Sequence, residues 1–294
     1  MLVYRGEVQA DLPLDLPTLE GSFSFPIKYG YATVGRVLDA GPGAGTLSIG
    51  DPVFVHHPHQ GVFLVPAELP VRLPDGLDPA LGLFFANLET ALNVVHDAPL
   101  RLGETALVFG QGVVGLLVTR LLKLAGAERV LAVDPVEKRR ELALEMGADE
   151  AFEPAGDLRE RLIEATSGRG ADLAVEVSAS ATALQDAIDA VAAEGTVVVA
   201  SWYGTKPVAL SLGGHFHRGR IQLRSSQVGR ISPELGPRWD RARRREAVLS
   251  MLPRLRLQSL FSHRVPFEEA PRAYRLVDEG PDEAVQVVLI HDQG

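Results

Sequence analysis

Apolar and polar positions along the chain follow two different rhythms. Up to about residue 95 the apolar runs are short and broken by proline and glycine. The alternation at 31–37, 52–55 and 61–65 predicts strands, with turns at 41–43 and 49–52. This stretch is predicted to be β-rich, a small barrel. From 81 to 96 the apolar spacing is helical and predicts a helix that bridges two regions. Beyond about 100 the pattern changes to strands alternating with amphipathic helices. Strands are predicted at 105–110, 129–134, 150–153, 172–178, 195–201 and 221–226, and helices at 113–125, 136–146, 157–167 and 181–193. Runs such as Thr196-Val-Val-Val-Ala200 are apolar on both faces. A parallel, doubly wound sheet covered by helices requires this. After about 229 come a basic helix, an extended piece at 263–267, a helix at 268–279 and a last strand at 284–290. This tail is too short for a domain and is expected to return to the first one. The expected division is therefore 1–95, 96–229 and 230–294, the last completing the first.

One segment carries specific chemistry. A predicted strand at 105–110 runs into Gly110-Gln-Gly-Val-Val-Gly115 and then a helix, and a second strand ends at Asp134, 19 residues after Gly115. Gly110 permits the tight turn, Gly112 lets a pyrophosphate approach the backbone, and Gly115 lets helix pack on strand. Val113 and Val114 open the helix, whose free N–H groups and dipole favour phosphate. Asp134 can accept hydrogen bonds from a ribose diol. These parts together point to a dinucleotide site.

Composition narrows the class. The 294 residues carry a formal net charge of −9, which argues against nucleic acid as a partner. No apolar run is long enough to span a membrane, and the first residues lack a signal-peptide core. The sequence contains no cysteine, which excludes disulfides, thiolate catalysis and cysteine-ligated zinc. A cytoplasmic enzyme is expected.

The chain resembles the medium-chain dehydrogenase/reductase superfamily. The resemblance rests on Gly30-Tyr-Ala-Thr-Val-Gly-Arg-Val37, Gly50-Asp-Pro-Val-Phe54, the glycines at 110–115, Val133-Asp134, Glu141-Leu-Ala-Leu-Glu-Met-Gly-Ala148 and Val265-Pro-Phe-Glu-Glu-Ala-Pro-Arg-Ala-Tyr274. Three further segments, His57-Pro-His-Gln60, Ser201-Trp-Tyr-Gly204 and Leu223-Arg-Ser-Ser-Gln-Val-Gly229, resemble the subgroup of bacteriochlorophyllide-type hydroxyethyl dehydrogenases. The resemblance implies a GroES-like catalytic domain joined to a Rossmann domain. It also implies that roughly the first thirty residues of the family's catalytic domain are absent, through loss or because Met1 is not the true start. Where the family's zinc enzymes carry Gly-His-Glu this chain has Gly30-Tyr31-Ala32, and only Glu89 matches a ligand place. A zinc-free member is expected, with no metal site.

On this resemblance the function is the interconversion of an alcohol and a ketone or aldehyde by hydride transfer. NAD is the expected cofactor, since Asp134 would repel a 2′-phosphate. Arg139 would lie beside the adenosine ribose. Lys138 and Arg140 are placed to reach a 2′-phosphate instead, which keeps NADP open. Val177 and Ser178 would line the adenosine side, and Ala200, Ser201 and Trp202 the nicotinamide, with Tyr203 a further pocket wall. Without zinc, a side chain must handle the hydroxyl proton. Tyr31 stands in the zinc histidine's place. His57 and His59 could relay protons, or hold a metal with Glu89, or be ordinary strand-end residues; Glu89 could equally be structural. Five arginines within 238–246, with Arg224 and Arg230, form either a solvated face or a clamp for an anionic substrate. Two other readings stay open: an enone or quinone reductase, and a nucleotide-binding protein without turnover. A small-molecule substrate and a homodimer or homotetramer are expected, with neither nucleic acid nor membrane as partner.

Overall fold

The computed structural model describes residues 2–14, 18, 21–28 and 30–291; Met1 lies outside them. Its centre is a six-stranded parallel sheet. The elements that build it, in chain order, are β4 (Thr105–Phe109), α2 (Val113–Leu124), β5 (Arg129–Val133), α3 (Glu137–Glu145), β6 (Glu150–Phe152), α4 (Leu158–Ala165), β7 (Ala171–Glu176), α5 (Ala181–Ala190), β8 (Val191–Val199), the short α6 (His215–Arg218) and β9 (Gln222–Ser225). The strand order is β6-β5-β4-β7-β8-β9. The order reverses between β4 and β7, so a crevice opens at their carboxyl ends, the place where such sheets bind ligands.

The double-faced apolar pattern has a direct cause. Ala106 and Val108 of β4 pack into one core with α2 and the bridging helix α1 (Phe85–Asp97), while Leu107 and Phe109 pack into a second core with α4 and α5. Strand β5 divides in the same way, Val130 and Ala132 to one side, Leu131 and Val133 to the other. The valine, leucine and phenylalanine side chains among these each contribute roughly 1.5–3 kcal/mol on burial. The strand that carries the glycine turn is therefore clamped from both faces.

The first part of the chain forms a three-stranded antiparallel sheet, β1 (Thr33–Arg36), β2 (Pro52–Val55) and β3 (Val71–Arg72). Among the described residues it is an open sheet and not a closed barrel. The expected strand at 61–65 does not form. Phe63 stacks on His57 at 3.7 Å, Leu64 is 98% exposed, and β3 takes the free edge of β2 instead. The bridging helix is preceded by a 3-10 turn, Pro79–Phe84, where the Ala80 amide donates to the Asp78 side chain.

The tail contributes α7 (Arg241–Met251), β10 (Phe261–Pro266), α8 (Ala270–Glu279) and β11 (Gln286–Ile290). Strands β10 and β11 pair in parallel, and α8 packs on both. Asp240 caps α7 by accepting from the Arg243 amide. No described helix is long and apolar enough to cross a membrane.

Candidate active site

The three glycines of the turn have three different surroundings. Gly110 has φ +94°, and a Cβ there would come within 2.8 Å of the Ser178 Cβ. At Gly115 a Cβ would lie 1.9 Å from the Gly110 carbonyl oxygen, so α2 can approach β4 only with glycine there. Gly112 is the opposite case. It caps α2 with an ordinary φ of −68°, and a Cβ there would meet nothing within 4 Å. The N-terminus of α2 is thus open at Gly112, and the free N–H groups of a helix N-terminus favour an anion.

Asp134 is buried at the end of β5 and tied to the same turn. Its carboxylate accepts from the Gln111 amide at 2.6 Å and the Val136 amide at 2.9 Å. Two carboxylate oxygens offer about four acceptor positions, so a ribose hydroxyl can still be met. Arg139 Nη1 stands 4.0 Å away, and Nη2 donates to the carbonyls of Pro281 and Ala284. Arg140 donates to the carbonyls of Asp134 and Pro135, while Lys138 is exposed. Gln111 is buried, bonded to the Val108 carbonyl and to the Thr119 hydroxyl, and stiffens the turn from below.

Across the crevice, Glu176 closes β7 and is fully buried. Its carboxylate accepts from the Ser178 amide and hydroxyl, the Ala179 amide and the Tyr203 hydroxyl. Ala179 also donates to the Ser201 hydroxyl, the Val177 amide to the Phe109 carbonyl, and the Ala200 amide to the Glu176 carbonyl. One carboxylate thus fixes both loops expected to line the nucleotide. Burial, followed by the Glu176 hydrogen bond and charge, raises the pKa of the Tyr203 phenol. Tyr203 is therefore a wall held by Glu176. A glutamate ending the apolar run Ala171-Asp-Leu-Ala-Val-Glu176 was the available signal, and sequence reasoning did not use it.

A cleft of about 1800 Å³ lies between β1, β11, α8 and the end of β8. Tyr31, His59, Trp202 and Tyr274 line it together. Trp202 is 46% exposed and tilts against Phe23 at 5.6 Å. More than a third of Tyr31 is exposed, yet its phenol is desolvated enough to raise its pKa. His57 and Glu89 are placed differently. His57 lies flat on Phe63 with Nδ1 facing the Pro58 carbonyl. Glu89 contacts Arg244 Nε at 3.4 Å and His56 Nε2 at 3.7 Å.

Arg244 itself is 4% exposed and donates to Asn93 Oδ1 and the Val228 carbonyl, both at 2.7 Å. Asn93 continues to Asp97, which accepts from Ser226. Within the arginine group Arg244 is internal, Arg224 binds Glu234 and the Asp97 carbonyl, Arg243 stacks over Trp239 at 4.4 Å, and Arg230, Arg238, Arg241 and Arg245 are exposed. The arginines that do line the cleft are Arg36, Arg264 and Arg275.

Sheet order, switch-point crevice and glycine turn together make a doubly wound sheet of the kind that binds dinucleotides. Residues 113–242 match the family model described as zinc-binding dehydrogenase. D-guloside 3-dehydrogenase of Escherichia coli (strain K12) is 28% identical over 295 residues, covering 97% of this chain and 83% of that protein. Alcohol dehydrogenase TADH from Thermus sp. ATN1 superimposes with a TM-score of 0.72 at 26% identity, covering 99% of this chain and 88% of that one. A Sinorhizobium meliloti 1021 protein described as a zinc-binding dehydrogenase, solved with NADP, gives a TM-score of 0.75 at 22% identity, over 98% and 87%. The fold is GroES-like plus Rossmann. The chain is an oxidoreductase, similar to zinc-binding dehydrogenases over residues 113–242 and to a named dehydrogenase over nearly its whole length.

The family description implies zinc, and the donor set here does not fit it. There is no cysteine, and among the described residues no group of three His, Asp or Glu side chains converges. His56, His57 and His59 each turn to a different partner.

Proposed function

We propose that the chain is a zinc-independent oxidoreductase that interconverts an alcohol and a ketone or aldehyde, with NAD preferred over NADP. The observation that carries the nucleotide reading is the bare backbone at Gly112 over the N-terminus of α2, with Asp134 anchored to the same turn. Gly110, Gly112, Val113, Val114 and Gly115 would hold the pyrophosphate, Asp134 the ribose, and Val177, Ser178, Ala200, Ser201 and Trp202 the two ends. Arg139, tied to the 281–284 carbonyls, would border the ribose. In this reading 96–229 binds the nucleotide, and 1–95 with 230–294 forms the catalytic part.

When bound, the nucleotide supplies or accepts the hydride. The chain must then orient the substrate carbon, exclude water and move the hydroxyl proton. Tyr31 and His59 share the cleft with Trp202, whereas His57 and Glu89 are engaged elsewhere. We therefore assign the proton to Tyr31 or His59 and give Glu89 a positioning role at the junction of α1 and α7. Arg36, Arg264 and Arg275 on the cleft wall favour a substrate with anionic character. On the resemblance alone we expect a cytoplasmic homodimer or homotetramer.

The test is turnover after metal removal. Protein dialysed against a strong chelator, its zinc measured by mass spectrometry, is assayed for NAD reduction with secondary alcohols and polyols. Turnover is expected to persist with zinc far below one per chain and not to rise when zinc is restored. Activity that appears only with stoichiometric zinc would overturn the zinc-independent part.

A further inference from the structure

The histidines at 56, 57 and 59 differ in what faces Nδ1. For His56 it is the Tyr31 carbonyl oxygen at 3.2 Å, and for His57 the Pro58 carbonyl oxygen at 2.8 Å. A carbonyl only accepts, so it keeps the proton on Nδ1. His59 faces a hydroxyl instead: Tyr274 Oη lies 3.4 Å from its Nδ1. A hydroxyl both donates and accepts, so it can serve either tautomer of the ring and the imidazolium as well. Tyr274 is itself held by stacking on Tyr4 at 5.5 Å. A face of the His59 ring lies over Gly30, where a Cβ would come within 2.5 Å of Cδ2, 2.6 Å of Nε2 and 2.8 Å of Cγ. Among the described residues Nε2 has no hydrogen-bond partner, and both residues line the cleft.

We propose that Tyr274, brought by α8 from the far end of the chain, is the positioning residue for His59, and that His59 carries the substrate's hydroxyl proton. The proposal rests on the oxidoreductase reading above. In alcohol oxidation the substrate O–H bond breaks and the proton goes to Nε2. The electron pair left on oxygen becomes the second carbon–oxygen bond as the hydride leaves carbon for the pyridine nucleotide. The Nδ1–H of the resulting imidazolium donates to Tyr274 Oη. In reduction the same proton returns to the substrate oxygen. The wild-type ring is suited to accept. Burial first, and the charge of His291 second, lower the His59 pKa from its ordinary 6.5. The titratable groups that face His59 are Tyr274 from α8 and His291 from beyond β11; Gly30 brings none. Desolvation raises the Tyr274 pKa, so its hydroxyl stays protonated at neutral pH.

The test is a titration of the histidine ring nitrogens by NMR in the full chain, with His59→Gln assigning the resonance. Wild type is compared with Tyr274→Phe and Tyr274→Gln, and the pH profile of turnover is measured for each. Removing the acceptor of a charge-assisted bond disfavours the imidazolium. The His59 midpoint is expected to fall by about half a unit or more in Tyr274→Phe. The acid limb of alcohol oxidation should move down with it, and Tyr274→Gln should restore part of both. An unmoved midpoint in a folded variant overturns the coupling. A midpoint that moves while the limb stays still overturns the proposal through the reading it rests on, because His59 then does not carry the proton. If Tyr274→Phe fails to fold, the Tyr274→Gln comparison with wild type decides by the same two readouts.

Discussion

Replacing Gly112 by valine is expected to leave the fold standing and to weaken NADH binding at least a hundredfold, about 2.7 kcal/mol. The two halves of this expectation have separate causes. Gly112 has φ −68°, open to any residue, and the space where a Cβ would stand is empty. Valine is a poor helix cap, so a stability loss of about 1 kcal/mol is expected. In the proposed site the isopropyl group would nevertheless stand in the open space over the N-terminus of α2, where a pyrophosphate would meet its amides. Gly115→Ala is the contrasting variant. Its Cβ would sit 1.9 Å from the Gly110 carbonyl oxygen, so the helix must move off the strand and the fold itself is expected to suffer. Thermal melts with nucleotide fluorescence titrations on both variants separate the two effects. A Gly112→Val chain that binds NADH as wild type would remove the cradle from the account.

The second large effect is expected far from the cleft. Arg244→Ala should destabilise the chain by about 3–5 kcal/mol, the usual cost of stranding a buried charge by removing its partner. Arg244 is the single donor joining Glu89 and Asn93 of α1 to the Val228 carbonyl. Its loss leaves the largely buried Glu89 carboxylate with His56 Nε2 at 3.7 Å as its remaining contact and takes the donor from the Asn93 Oδ1 and the Val228 carbonyl. Arg244→Lys should recover only part, because an ammonium cannot reproduce the planar fork. Urea unfolding measures this directly. A loss below about 1 kcal/mol would mean that the network is hydrated and that Glu89 is not held as described.

The sequence made the sheet legible because its code is local. Residues 105–109 and 129–133 alternate between two cores, and both faces must be apolar. The glycine turn was legible for the same reason, since all three residues act through backbone geometry within six positions. The open β-rich part was less so. The segment 61–65 alternates like a strand, yet a strand also needs a neighbour with a free edge, and β3 takes that edge. The site residues that escaped were those whose partners are remote. Glu176 meets Tyr203 27 residues on, Arg244 meets Glu89 155 residues away, and Tyr274 meets His59 215 residues away. Nothing in local spacing announces such pairs. The arginine run allowed a solvated face or an anion clamp: Arg238, Arg241, Arg243 and Arg245 are exposed, while helix geometry aims Arg244 inward and sets Arg243 over Trp239.

The central claim is that the crevice between β4 and β7 binds a pyridine nucleotide and reads its ribose through Asp134. Calorimetric titration of NADH and NADPH into chelator-treated chain tests it most directly. Saturable one-site binding is expected, with NADH tighter than NADPH, because a 2′-phosphate would meet the Asp134 carboxylate. No saturable heat from either nucleotide, in a chain with a native circular dichroism spectrum, would contradict it.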